Sequence, residues 1–177
     1  MNDQTPMPPA ADQASEPPVA ADVLHDGRVG ADDEELILAA LAACGVAARV
    51  RVVPARRDVQ ALTWLLLISL PLQAFLSVIG AKIADDAYGT FVRAARRLLG
   101  RRQPAGAPAA GSPPVLVLQD PLTGVRIVVA PDLPDEAWEQ LPALDLSGYR
   151  SGSFSYDRPS RRWRSEVDEE DTAHARS

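Results

Sequence analysis

The chain has 177 residues, 46% of them apolar, and a formal net charge of −6. That length holds one domain of ordinary size, the apolar fraction is that of a globular protein, and the negative balance excludes a chain-wide basic footprint for nucleic acid or an anionic membrane. A single cysteine, Cys44, excludes an internal disulfide and fits a reducing compartment.

Residues 1–30 are rich in Pro, Ala, Asp and Gln and show no apolar period. They are expected to stay disordered, because they bury too little surface to offset chain entropy. The start lacks the basic and apolar regions of a signal peptide, so a cytoplasmic location is expected. His25 falls in this stretch and His174 in the far tail, so neither is expected in a catalytic or metal site.

Asp32 is placed to cap a first helix, with Glu35 three residues on as its capping-box partner. Leu36, Ile37, Ala40, Leu41 and Cys44 make its stripe, and Gly45 suits the left-handed position that ends it. Val46, Ala48, Val50 and Val52 then alternate with Ala47, Arg49 and Arg51, the period of a half-buried strand, stopped by Pro54.

Val59 to Ala81 carries no charge and reads VQALTWLLLISLPLQAFLSVIGA. It is long enough to span a bilayer, where about 20 apolar residues suffice. Against a span stand Pro71 and Gln73 near its middle, where polarity and a lost backbone bond cost most. The stripe Leu72, Phe75, Leu76, Ile79, Ile83, Ala87, Phe91, Ala94 and Leu98 also runs on past Lys82, as a core helix would. A buried core element is the preferred reading, and a membrane-inserting segment is the alternative. Within the core reading, Leu65 to Leu70 is either a strand before a helix that starts at Pro71, or the first half of one long kinked helix capped by Asp58. The kinked helix is favoured.

Arg101 to Pro114 reads as a Pro/Ala/Gly linker. Val115 to Leu118 is a short apolar strand, Asp120 to Gly124 a turn, and Val125, Ile127 and Val129 a returning strand with Arg126 facing out. Asp132 is placed to cap a helix holding Trp138 and Leu141. Phe154, Tyr156 and Trp163 belong to a final hairpin, and an acidic tail follows from 168. The expected fold is α+β: a small, mainly antiparallel sheet packed by a long apolar central helix and two shorter helices. Residues 31–100 and 115–167 form its two halves, joined by 101–114.

The step Arg51-Val52-Val53-Pro54, the apolar helix ending at Leu98 to Arg102, and the strand, Thr123-Gly124 turn, strand and short helix that follow resemble a family of small modules. These are the effector-associated constant components of bacterial conflict systems. The resemblance covers about half the chain and departs at Pro71, Gln73 and the added hairpin. It implies an adaptor beside an effector, not an enzyme, and carries no catalytic residue.

No Cys/His/Asp spacing fits zinc, and no Gly-rich run follows a strand as a phosphate cradle requires. No catalytic residue, metal or cofactor is expected. Asp85 and Asp86 point about 100° apart on a helix and do not converge as an acid/base pair. Asp32, Asp33, Glu34 and Glu35 read as helix-start charges. One patch stands out: Arg150, Phe154, Tyr156, Arg158, Arg161, Arg162, Trp163 and Arg164. Aromatics among arginines can stack bases and hold phosphates, or present a protein-binding surface; equally, the aromatics can be buried and the arginines solvated to protect a sheet edge. The favoured function is a non-enzymatic interaction module with a protein partner. A membrane-anchored protein and a nucleic-acid-binding accessory are the alternatives.

Overall fold

Val19–His25, inside the stretch expected to be disordered, is a seven-residue strand, β1. The structure, a computed structural model, describes residues 19–25, 27, 29–53, 64–81, 86–100 and 115–166. Helix α1 (Ala31–Ala43) and strand β2 (Val46–Val52) follow. Then come β3 (Trp64–Ser69), α2 (Leu72–Ala81), α3 (Ala87–Gly100), β4 (Val115–Gln119) and β5 (Arg126–Val129). Helix α4 (Asp135–Gln140), a 3-10 turn at Leu141–Ala143, β6 (Ser153–Asp157) and β7 (Arg162–Ser165) complete the chain. The expectations for the first tail up to 18, Pro54, Asp58, Lys82, Ile83, Asp85, the 101–114 linker, the tail after 166 and His174 lie outside the described residues.

The fold is α+β, but the sheet is mixed, not mainly antiparallel. Its order is β2-β1-β3-β4-β5-β6-β7. The pairs β1/β2, β3/β4 and β5/β6 are parallel, each joined through helix, and the pairs β1/β3, β4/β5 and β6/β7 are antiparallel. Parallel neighbours need a crossover of a dozen or more residues, which the intervening helices supply.

The long apolar run is not one kinked helix. Trp64–Ser69 is a strand flanked by β1 and β4, and only Leu72–Ala81 is helical. Pro71 ends the strand, and its carbonyl accepts the Phe75 N–H at 3.0 Å, so it opens α2 where its missing N–H costs nothing. Gln73 accepts the Leu146 N–H on Oε1 at 2.9 Å. The two residues least suited to a bilayer centre thus serve a helix start and a loop tie. Helix α2 ends at Ala81 and α3 begins at Ala87, so the long stripe belongs to two helices. No helix among the described residues is long and apolar enough to cross a membrane.

Register aligns one core row across the sheet: Val50, Val23, Ile68, Leu118, Ile127 and Phe154. These residues meet Ile37 and Leu41 of α1, Phe75 and Leu76 of α2, Phe91 and Leu98 of α3 and Trp138 of α4 in one apolar cluster. Phe75 and Phe91 meet edge to face at 5.6 Å, and Phe91 and Trp138 at 6.5 Å, tying three helices together. Each such pair adds about 1 kcal/mol beyond its buried area. Two expected caps are moved: Gly30, not Asp32, precedes α1, and Pro134, not Asp132, precedes α4, neither with a side-chain bond. Gly45 holds φ +81° after α1, as expected.

Candidate interaction surface

Residue parity along β6 and β7 divides the expected hairpin patch. Phe154 and Trp163 point into the core and are buried. Trp163 donates its indole N–H to the Ala137 carbonyl at 3.0 Å and meets Tyr156 edge to face at 5.8 Å; Phe154 meets Tyr149 at 4.7 Å. The two buried rings offer no face to a base, whereas Tyr156 is half-buried and lines an open cleft with Arg158 and Arg161.

The arginines part as well. Arg158 and Arg161, in the hairpin turn, lie toward α4, where Arg158 pairs with Asp132 and Arg161 with Glu136 at 3.8 Å. Arg162 and Arg164 point to the opposite face of the sheet, where Arg164 lies 3.5 Å from Asp157. Arg150 is exposed in the preceding loop. The eight residues therefore do not form one surface.

What assembles instead is the face of the sheet away from the helices. Register brings Leu24, Leu67, Val117 and Val128 into a row across four strands, with Arg51 beside Leu24. Val117 is 2% exposed although it stands outside the core cluster; Leu24, Leu67 and Val128 are half-buried. The next row is polar: Arg49, Asp22, Ser69, Gln119, Arg126 and Ser153. Arg49, Arg51, Arg126, Arg162 and Arg164 thus share a face with the carboxylates Asp22, Asp157 and the adjoining Glu166. Arg49 approaches Asp22 at 2.5 Å and Arg51 approaches the same oxygen at 3.4 Å. The Arg49 guanidinium holds the Asp22 carboxyl below its usual range. Two cations on one carboxylate leave positive charge over.

Sequence reasoning saw Arg126 facing out and Arg49 and Arg51 alternating with valines. It missed that they share a face with Arg162 and Arg164 at the opposite edge of the sheet, which depends on strand order and not on local pattern.

The remaining polar clusters are committed to the fold. His25, expected outside any folded region, is buried at the end of β1. Its Nδ1 accepts the Gly27 N–H at 3.1 Å, and its Nε2 lies 2.8 Å from a Glu34 carboxylate oxygen. Glu34 is therefore a buried-histidine partner as well as a helix-start charge. Asp86 starts α3 and pairs with Arg93 at 3.3 Å on the exposed side. A cleft of about 150 Å³ is lined by Leu72, Gln73, Asp120, Thr123, Leu146 and Tyr149. Its Asp120 and Gln73 oxygens accept backbone N–H groups of Leu72, Leu122, Thr123 and Leu146. Among the described residues, no group of three His, Cys, Asp or Glu side chains could hold a metal ion. Comparison with protein families, with curated proteins and with solved structures finds no match.

Proposed function

We propose that this chain is a non-enzymatic interaction module that docks a protein partner on the face of its sheet opposite the described helices. One observation carries the reading: an apolar row, Leu24 to Val128, bounded by arginines at both ends of the sheet. The partner that fits is a protein surface with an apolar centre and flanking carboxylates. Apolar contact supplies the affinity, and the arginine excess sets orientation and encounter rate. The resemblance to effector-associated constant components supports an accessory role beside an effector, and the lone cysteine supports a cytoplasmic setting.

The test uses a photo-crosslinking residue at Val128, on the face opposite the described helices, and another at Glu139, on the helix side. The expected result is a discrete acidic partner captured from position 128 alone, and lost when Arg126→Glu and Arg164→Glu are combined. Equal capture from both positions, or capture indifferent to the charge reversal, overturns the proposal.

A further inference from the structure

The two edges of the sheet are unlike. β7 is four residues long, a length that discourages edge pairing. β2 is seven residues long and pairs, among the described strands, with β1 alone. The Val53 N–H reaches the His25 carbonyl at 2.8 Å, which fixes the alternation of the strand. Ala47, Arg49 and Arg51 turn their N–H and C=O groups to β1; Ala48, Val50 and Val52 turn theirs outward. Val52 is 62% exposed.

Beside this edge, α1 and β2 enclose an open groove of about 600 Å³, lined by Glu34, Glu35, Leu38, Ala39, Ala42 and Ala48 among others. Its walls are mostly alanine, so side chains on the helix side of an added strand have room. On the other side of the strand stand Arg49 and Arg51, which share the single carboxylate of Asp22.

We infer that the β2 edge accepts an extended acidic segment of another protein as an eighth strand, with apolar side chains in the α1 groove and carboxylates beside Arg49 and Arg51. Main-chain bonds to Ala48, Val50 and Val52 supply the affinity, and alternate side chains supply the specificity. The charges choose the occupant. Two copies of this chain paired antiparallel about Val50 or Arg49 would set Arg49 against Arg51, or Arg49 against itself, and like charges directly opposite are destabilising. Glutamate or aspartate at the same positions meets the uncompensated cation instead. The inference uses the backbone edge and the groove, and does not rest on occupancy of the Leu24–Val128 row.

The probe is an end-blocked heptapeptide alternating valine and glutamate, followed by fluorescence anisotropy and by amide hydrogen exchange of the full chain. Saturable binding is expected, weakened about tenfold when lysine replaces glutamate in the peptide or when Arg49→Glu and Arg51→Glu are combined. Val50→Pro removes an outward N–H without touching the β1 ladder and should abolish binding, whereas Val50→Ala should retain it. In the wild-type chain, the amides of Ala48, Val50 and Val52 should gain protection on binding and those of Arg49 and Arg51 should not. This readout stands even if Val50→Pro fails to fold. Equal binding of the lysine peptide, no added protection at the three amides, or full protection of them in the free protein overturns the inference. Concentration-dependent dimerisation lost in Val50→Pro would assign the edge to a second copy and overturn it too.

Discussion

Asp120 and Leu72, 48 residues apart, are joined at the start of α2: the Leu72 N–H donates to Oδ2 of Asp120 at 3.0 Å. The other carboxylate oxygen accepts the Leu122 and Thr123 N–H groups at 2.9 and 3.0 Å and shapes the β4–β5 turn. One side chain thus caps a helix and closes a turn in separate parts of the chain. Asp120→Asn should cost about 2 kcal/mol in chemical denaturation, since hydrogen bonds to a charged group are lost and one oxygen becomes a donor facing a donor. A loss below about 0.5 kcal/mol would refute the double role.

The same residue predicts a pH dependence. Burial pushes the Asp120 carboxyl up, but the backbone N–H groups of Thr123, Leu72 and Leu122 outweigh it and the net displacement is downward. A carboxylate held down in the folded state adds stability that is full above its unfolded pKa and is lost as pH falls through the lower folded value. The gap in stability between wild type and Asp120→Asn should therefore be constant near neutrality and shrink below about pH 4. A gap that widens on acidification would contradict this sign.

Leu76 is fully buried on the face of α2 that meets the sheet. Leu76→Asp places an unpaired charge there and should remove about 4 kcal/mol or more, most of the stability of an ordinary domain. Circular dichroism should show no cooperative melt. A cooperatively melting Leu76→Asp variant would mean that this stripe does not form the core.

Trp163 carries the final hairpin into the core through its bond to Ala137. Trp163→Phe keeps most of the buried area and loses the N–H donor, so about 1 kcal/mol is expected. Trp163→Ala leaves a cavity and should cost about 3–5 kcal/mol. Equal effects of the two would show that the hydrogen bond, not packing, holds the hairpin.

Gly45 reverses the chain between α1 and β2 at φ +81°. Gly45→Ala should cost about 1 kcal/mol through the left-handed backbone alone, with no change in the slope of urea denaturation.

The elements that the sequence exposed best are those whose period is strong and whose ends carry turn chemistry: α1 with Gly45, β2 with its Val/Arg alternation, and the turn at Asp120 to Gly124. The strand at Val19–His25 escaped because its buried face reads Val, Ala, Val and His, and its proline-rich neighbours disguise its start. Leu66 to Leu70 is apolar but for Ser69, because Leu66, Ile68 and Leu70 enter the core while Leu67 continues the apolar row on the other face. Periodicity cannot separate such a strand from a buried helix. That the stripe belongs to two helices, α2 and α3, escaped because its steps of three and four run through both. The arginine-bearing face escaped for another reason: Arg49, Arg126 and Arg164 share it only once the sheet order is known, with β2 and β7 at its two edges and β5 between them.

Within each strand, alternate residues answer to different demands. Ile127 and Val129 hold the helices, while Arg126 and Val128 meet whatever lies on the other side. A chain built this way can rewrite its recognition code one letter in two. The folding code is spelled mostly in the letters between, so change at the exposed Arg126 should leave the melting temperature where it was, while the buried Val117 is spelled in both codes at once.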